Sequence, residues 1–212
     1  MKLQLLDPKI PLDQYTPIDL SVHNQELAHY TMSDPASCQA YIDVVLERAN
    51  AQVAYGGYLE HRNLYRTHKN FNLNEQVRNI HLGIDFWTKA GTAVIAPLSG
   101  SVHSFKNNAS SGDYGPTIIL AHHLKHTTFY TLYGHLSLES LYNLSVGMEI
   151  AKGQSFARLG TPEINVNYAP HLHFQVIKTL ETYVGDYPGV CSKADSPRYK
   201  ANCPDPMGFA WG

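Results

Sequence analysis

Three short stretches carry residues that bind metals or move protons: His81-Leu82-Gly83-Ile84-Asp85, Tyr133-Gly134-His135 and His171-Leu172-His173. The run HLHFQVI that begins at His171 reads as a strand, and residues two apart on a strand point to one face. His171 and His173 then stand side by side, with Leu172 and Phe174 on the opposite face. Buried imidazole nitrogens need partners. A shared divalent cation is one such partner; a solvated strand face is the ordinary alternative, and for an isolated pair the more frequent one. His81 and Asp85 are four apart and share parity if the stretch is extended. They offer a borderline nitrogen and a hard oxygen, which suits Zn²⁺. Gly83 between them lets another backbone or a ligand come close. His135 ends the aromatic run FYTLYG, and taken singly it is an amphipathic histidine at a strand end.

The combination is more specific than its parts. A catalytic zinc takes three protein ligands and keeps one position open. His81, Asp85 and one histidine of the His171/His173 pair supply three. The other histidine of the pair and His135 remain as bases that can hold a water near the metal and pass its proton on. The sequence contains no HExxH. Histidines must then do the acid–base work, and an ordinary pKa of about 6.5 suits them to it.

HLGID, LYGHLS and PHLHFQ, in this order, resemble the motifs of the lysostaphin/LytM-type zinc metalloendopeptidases, which cut peptide bonds in peptidoglycan. The flanking stretches GTAVIAPLSGSVHSF, GPTIILAHH and VGMEIAKGQSFARLG are also similar to that family's core, so the resemblance spans about 77–178. It implies His81, Asp85 and His173 as zinc ligands and His135 and His171 as the catalytic pair. It implies Zn²⁺ as cofactor, peptide bonds of peptidoglycan stems or cross-links as substrate, and a compact antiparallel core with the metal in a groove. GGYLEHRNLY and GDYPGVC resemble a subgroup in which the domain can be joined to aminotransferase-type enzymes. A tyrosine, Tyr58 or Tyr65, is a candidate for an oxyanion contact. His122, which matches a strand histidine common in the family, reads with His123 and His126 as surface or structural. So do His23, His29, His61, His68 and His103.

The elements that must position these residues are mostly strands. Residues 1–32 hold Pro8, Pro11 and Pro17 without clear periodicity and read as an extended arm laid over the body. Asp34-Pro35 has the form of an N-cap followed by proline at the first helical position. Tyr41, Val44, Val45 and Ala49 follow at helical spacing, which predicts a helix over 35–50. From 77 on, runs rich in Val, Ile, Thr, Phe and Tyr alternate with turn residues, predicting strands at 80–87, 93–97, 101–106, 116–123, 127–134, 155–159 and 171–178. Residues 138–144 read as a short helix. The fold class is therefore mainly β and antiparallel with an α-containing N-terminal extension, and the resemblance implies a barrel-sandwich-like core of the lysostaphin/LytM type. The expected division is an N-terminal arm plus helix packing on the core (1–76), the metallopeptidase core (77–180) and an irregular C-terminal tail (181–212).

Composition excludes several classes. The 212 residues carry 16 Lys+Arg and 18 Asp+Glu, a net charge of −2. No basic run exists to displace phosphate counterions, so nucleic acid is not an expected partner. No apolar stretch approaches the roughly 20 residues of a membrane span. The start, MKLQLLDPKIPLDQ, lacks the continuous apolar segment of a secretory signal. A cytoplasmic location is the default expectation, with the envelope or periplasm requiring a removed leader or a non-classical route. Three cysteines, Cys38, Cys191 and Cys203, are an odd count. Reduced thiols are the preferred reading over a Cys191–Cys203 pair.

Three other functions compete. One is a metal-dependent hydrolase of a non-wall peptide or amide, because specificity resides in groove loops. Another is a non-catalytic binding or activator module, which would be marked by a missing ligand; none is missing. The third is a biotinyl/lipoyl-type carrier, since GTAVIAPLSGSV and GMEIAKGQ are similar to its hairpins. That reading needs a lysine at the hairpin tip, where Leu98-Ser99-Gly100 stands instead.

Overall fold

A computed structural model describes residues 3–62, 77–125, 127–209 and 211. Tyr65, His68 and His126 lie outside the described residues. Twelve strands are present among them: β1 (Tyr15–Pro17), β2 (Val53–Gly56), β3 (Arg78–His81), β4 (Ile84–Trp87), β5 (Ala93–Ile95), β6 (Gly100–Asn108), β7 (Gly115–Leu124), β8 (Thr127–Gly134), β9 (Glu149–Ile150), β10 (Ser155–Arg158), β11 (His171–Ile177) and β12 (Val190–Ser192). Two helices accompany them, α1 (Pro35–Ala49) and α2 (Ser196–Asn202). The main sheet has the order β1-β2-β4-β11-β8-β7-β6-β9, and β5/β10 and β3/β12 form two small sheets. Every pairing is antiparallel except β1 with β2.

Helix α1 forms where the spacing predicts it. The Asp34 carboxylate accepts from Ser37 N at 2.8 Å, Pro35 stands in the first turn, and Asn50 closes the helix with φ 49°. Its apolar stripe, Cys38, Tyr41 and Ile42, packs against Ala54, Trp87 and Ala169. The N-terminal stretch also reaches into the sheet, since β2 pairs with β4 in the register Tyr55↔Phe86.

Three expectations are corrected. The stretch 80–87 is two strands in different sheets, β3 against β12 and β4 against β11 and β2. Residues 138–144 contain only a short 3-10 turn, Leu138–Leu141. The tail after 180 is not wholly irregular, for it holds β12 and α2. There Val190 and Cys191 pair with His81 and Ile80, and that pairing draws the loop-like sequence into order. All three cysteines are buried free thiols.

Strand β11 is buried on both faces. One face carries Leu172, Phe174 and Val176 into the main core with Ile84, Phe86 and Tyr133. Each fully buried side chain of this size contributes about 1.5–3 kcal/mol. The other face carries His171, His173 and Gln175 beside Asp85 and Trp87 of β4, in the cross-strand pairs His171↔Trp87 and His173↔Asp85. The apolar alternation of β4 and β11 thus holds four polar or aromatic site residues in fixed register.

Candidate metal centre

His81 Nε2, Asp85 Oδ1 and His173 Nδ1 form a tight triangle with sides of 2.9, 3.1 and 3.2 Å. All three residues are buried. Three donors bound tetrahedrally at 2.0–2.1 Å would stand about 3.3 Å apart. The partners behind the triangle decide which atoms carry protons. His81 Nδ1 lies 2.9 Å from the carbonyl of Gly57, which only accepts, so the proton sits on Nδ1 and Nε2 presents a lone pair. Gln175 Nε2 donates to Pro188 O at 3.2 Å and to Cys203 Sγ at 3.2 Å, which turns Gln175 Oε1 toward His173 Nε2 at 3.0 Å. His173 donates there, and its Nδ1 is the second lone pair. Asp85 Oδ1 supplies the third. Three lone pairs facing one another across about 3 Å repel unless a cation lies among them, so the donor set fits a metal ion.

Electrostatics prepare the same state. Burial, with the Arg62 cation next in weight, lowers the His81 pKa to about 4, so the ring is neutral at pH 7. Burial alone would raise the Asp85 pKa, but His81 and Arg62 outweigh it and hold the group well below the usual carboxylate range. Because His81 is neutral at pH 7, the lasting charge on Asp85 is that of Arg62, whose Nη1 donates to Oδ2. Both side chains of that ion pair are 2% exposed.

His171 and His135 adjoin the triangle in one cavity of about 250 Å³. Their ring centroids are 4.0 Å apart. His171 Nδ1 donates to Ala169 O at 2.7 Å, which leaves Nε2 as a base. Burial brings its pKa to about 4. His135 follows β8 at φ 61°, a backbone region uncommon outside glycine. Two backbone bonds hold it there, His135 N–H to Tyr114 O at 2.9 Å and Gly160 N–H to His135 O at 3.0 Å. Burial, then the neighbouring His171, keeps its pKa well below the ordinary value. Its Nδ1 is buried without a partner. A proton there would be an unpaired buried donor, so the proton belongs on Nε2.

The five side chains singled out by type and spacing therefore meet, although the parity argument for His81 and Asp85 does not hold. The strand is interrupted at Leu82-Gly83 between β3 and β4, and the interruption is what lets β11 approach. A Cβ on Gly83 would lie 2.6 Å from Phe174 O and 2.7 Å from His173 Cε1. Tyr58 does not reach the site; its hydroxyl donates to Cys203 O at 2.8 Å. His122 is structural, held between Ser99 O at 2.9 Å and Thr131 Oγ1 at 2.7 Å. Sequence reasoning missed Arg62, Trp87, Tyr114, Tyr168 and Gln175. Tyr114 and Tyr168 line the cavity, and Tyr114 Oη is 3.4 Å from His173 Nε2. Gln175 and Trp87 carried a signal, since Gln175 continues the alternation His171, His173 and Trp87 follows Asp85 by two.

The sequence profile of peptidase family M23 matches residues 79–184. The chain belongs to peptidase family M23. A Haemophilus influenzae protein described as an uncharacterized metalloprotease is 36% identical over 95 residues, 45% of this chain and 18% of that protein. The chain thus spans under a fifth of that relative. Among solved structures, the catalytic domain of the antimicrobial peptidase lysostaphin from Staphylococcus simulans is 25% identical, with a TM-score of 0.41, over 69% of this chain and 91% of that one. Helicobacter pylori Csd3 is 29% identical, with a TM-score of 0.37, over 47% of this chain and 24% of that one. Within the M23 chain described here, Gly57 and Arg62 stand before the matched segment, and Pro188 and Cys203 after it.

Proposed function

We propose that this M23 chain is a zinc-dependent endopeptidase that hydrolyses peptide bonds of peptidoglycan stems or cross-links. The observation that carries the reading is the convergence of three lone pairs, from His81, Asp85 and His173, beside two neutral imidazoles in one cavity. Those three residues would hold the ion. When bound, zinc supplies Lewis acidity, polarising a carbonyl and easing the deprotonation of water.

The chain's own residues do the rest. His171 takes a proton at Nε2 from the attacking water, because its Nδ1–H is committed to Ala169 O. The same nitrogen then returns that proton to the leaving amine. His135 donates from Nε2 to the oxygen that gains charge during attack. Trp87, stacked on His171 with centroids 3.9 Å apart, fixes the ring that moves the proton. In this reading residues 77–180 are the catalytic core and the chain on either side braces it. Peptidoglycan as substrate rests on the resemblance of HLGID, LYGHLS and PHLHFQ to wall-cutting enzymes, and it requires a cell-envelope location.

The test incubates purified protein with peptidoglycan digests, with and without a chelator, followed by mass spectrometry. Cleavage abolished by chelation and restored by Zn²⁺ is expected. Cleavage that survives chelation overturns the metal. Intact wall fragments alongside cleavage of unrelated peptides overturn the wall substrate. No cleavage of any peptide by metal-loaded protein overturns the enzyme.

A further inference from the structure

The Asp85 carboxylate is divided between two tasks. Oδ1 faces His81 Nε2 at 3.2 Å and His173 Nδ1 at 3.1 Å. Oδ2 accepts from Arg62 Nη1, and Arg62 Nε is in turn paired with Glu60 Oε2. Glu60 Oε1 accepts from Leu20 N at 3.0 Å, which ties the carboxylate–guanidinium row to the N-terminal arm. Arg62 is among the largest fully buried side chains described, and it comes from a segment before the family match. Burying an arginine 23 residues away in sequence from its carboxylate is costly unless the charge is used.

We propose that Arg62 is a positioning residue for the metal site, occupying Oδ2 so that Asp85 offers the centre only Oδ1. The guanidinium is suited to this because its planar fork holds two acceptors at a fixed angle, Glu60 through Nε and Asp85 through Nη1. With Oδ2 held, Asp85 cannot swing to present both oxygens, and a coordination position stays available for substrate or water. The inference rests on the proposed metal-binding reading. It adds that the chain outside the matched segment sets how a ligand binds.

The experiment titrates Co²⁺, with its visible absorption as readout, and Zn²⁺ against a competing chelator. Wild-type protein, Arg62→Gln and Arg62→Lys are compared. Failure of the wild type to bind either ion at the site overturns the metal reading itself. Given wild-type binding, Arg62→Gln is expected to lose affinity about tenfold to a hundredfold, the usual cost of losing a partner of a ligating group. At saturating Co²⁺ its absorption should weaken, as a carboxylate free to bind through both oxygens raises the coordination number. A loss of fold stability alone would leave the saturated spectrum unchanged. Arg62→Lys keeps the charge and reaches a single acceptor, so it should show the same changes to a smaller extent, and it decides the matter if Arg62→Gln does not fold. Wild-type affinity and spectrum in the folded variants overturn the proposal while leaving the metal site intact.

Discussion

Trp87 and His171 are directly opposed across the β4/β11 pair, and their rings stack with centroids 3.9 Å apart at 23°. The indole clamps one side of the imidazole while the Ala169 carbonyl fixes its Nδ1–H at 2.7 Å. Trp87→Ala should therefore free the ring, and a misplaced proton carrier costs about 100-fold in kcat. Trp87→Phe keeps a flat partner and should retain most activity. Both should hold stoichiometric metal. Trp87→Ala also opens a core cavity at a cost of about 3–5 kcal/mol. Steady-state kinetics with metal analysis check this, and equal kcat for the two variants would contradict it.

The two histidine classes should separate cleanly. His135→Ala and His171→Ala should keep the metal and lose activity by about 10²–10⁴-fold. His81→Ala, Asp85→Ala and His173→Ala should lose the metal. Elemental analysis with an activity assay distinguishes them. If His171→Ala strips the ion and His173→Ala does not, the roles are exchanged.

Gly83→Ala should damage the site without touching a ligand. The added Cβ meets Phe174 O at 2.6 Å and His173 Nε2 at 2.8 Å, and the first of these is backbone that cannot yield alone. A destabilisation of about 1–3 kcal/mol is expected from such overpacking. Weaker metal binding should accompany it, because His173 must shift. Unfolding curves and chelator competition measure both, and unchanged metal affinity would show that His173 tolerates the displacement.

Acid should destabilise the metal-free protein in a defined window. Burial brings the pKa values of His81 and His171 to about 4, while the unfolded chain titrates them near 6.5. Their lowered folded values mean the unfolded state takes up protons first. Stability is then fully present above about pH 6.5 and falls as pH drops toward about 4. Asp85, held low, remains ionised through this window and does not offset the loss. The thermal midpoint of chelated protein, followed from pH 7 to 4, should decline throughout. A flat profile would contradict the burial of the two rings.

The sequence made the five clustered side chains legible because each sits in a short stretch whose residue types have few other uses in combination. HxH on a strand is a local rule, and it held on β11. The strand parity of His81 and Asp85 was also a local rule, and it failed. Gly83 interrupts the strand, and tertiary pairing sends β3 and β4 to different sheets. Arg62 was illegible because its contact with Asp85 depends on how two distant segments fold together. Tyr58 has the right residue type, but its hydroxyl is taken by the Cys203 carbonyl. The C-terminal strand and helix carry little periodicity of their own, and β12 forms only because β3 offers it an edge.

The pairing of β11 with β4 also sets which histidine meets which neighbour. Moving β11 by one residue would turn both imidazoles into the oily interior and bring Leu172 and Phe174 out. Moving it by two would put His171 opposite Asp85 and leave Trp87 with nothing to hold. Leu172, Phe174 and Val176, locked among Ile84, Phe86 and Tyr133, forbid either slip. Substitutions among these greasy residues, none of which belongs to the polar cluster, can thus decide which histidine stands beside Asp85 and which beside Trp87.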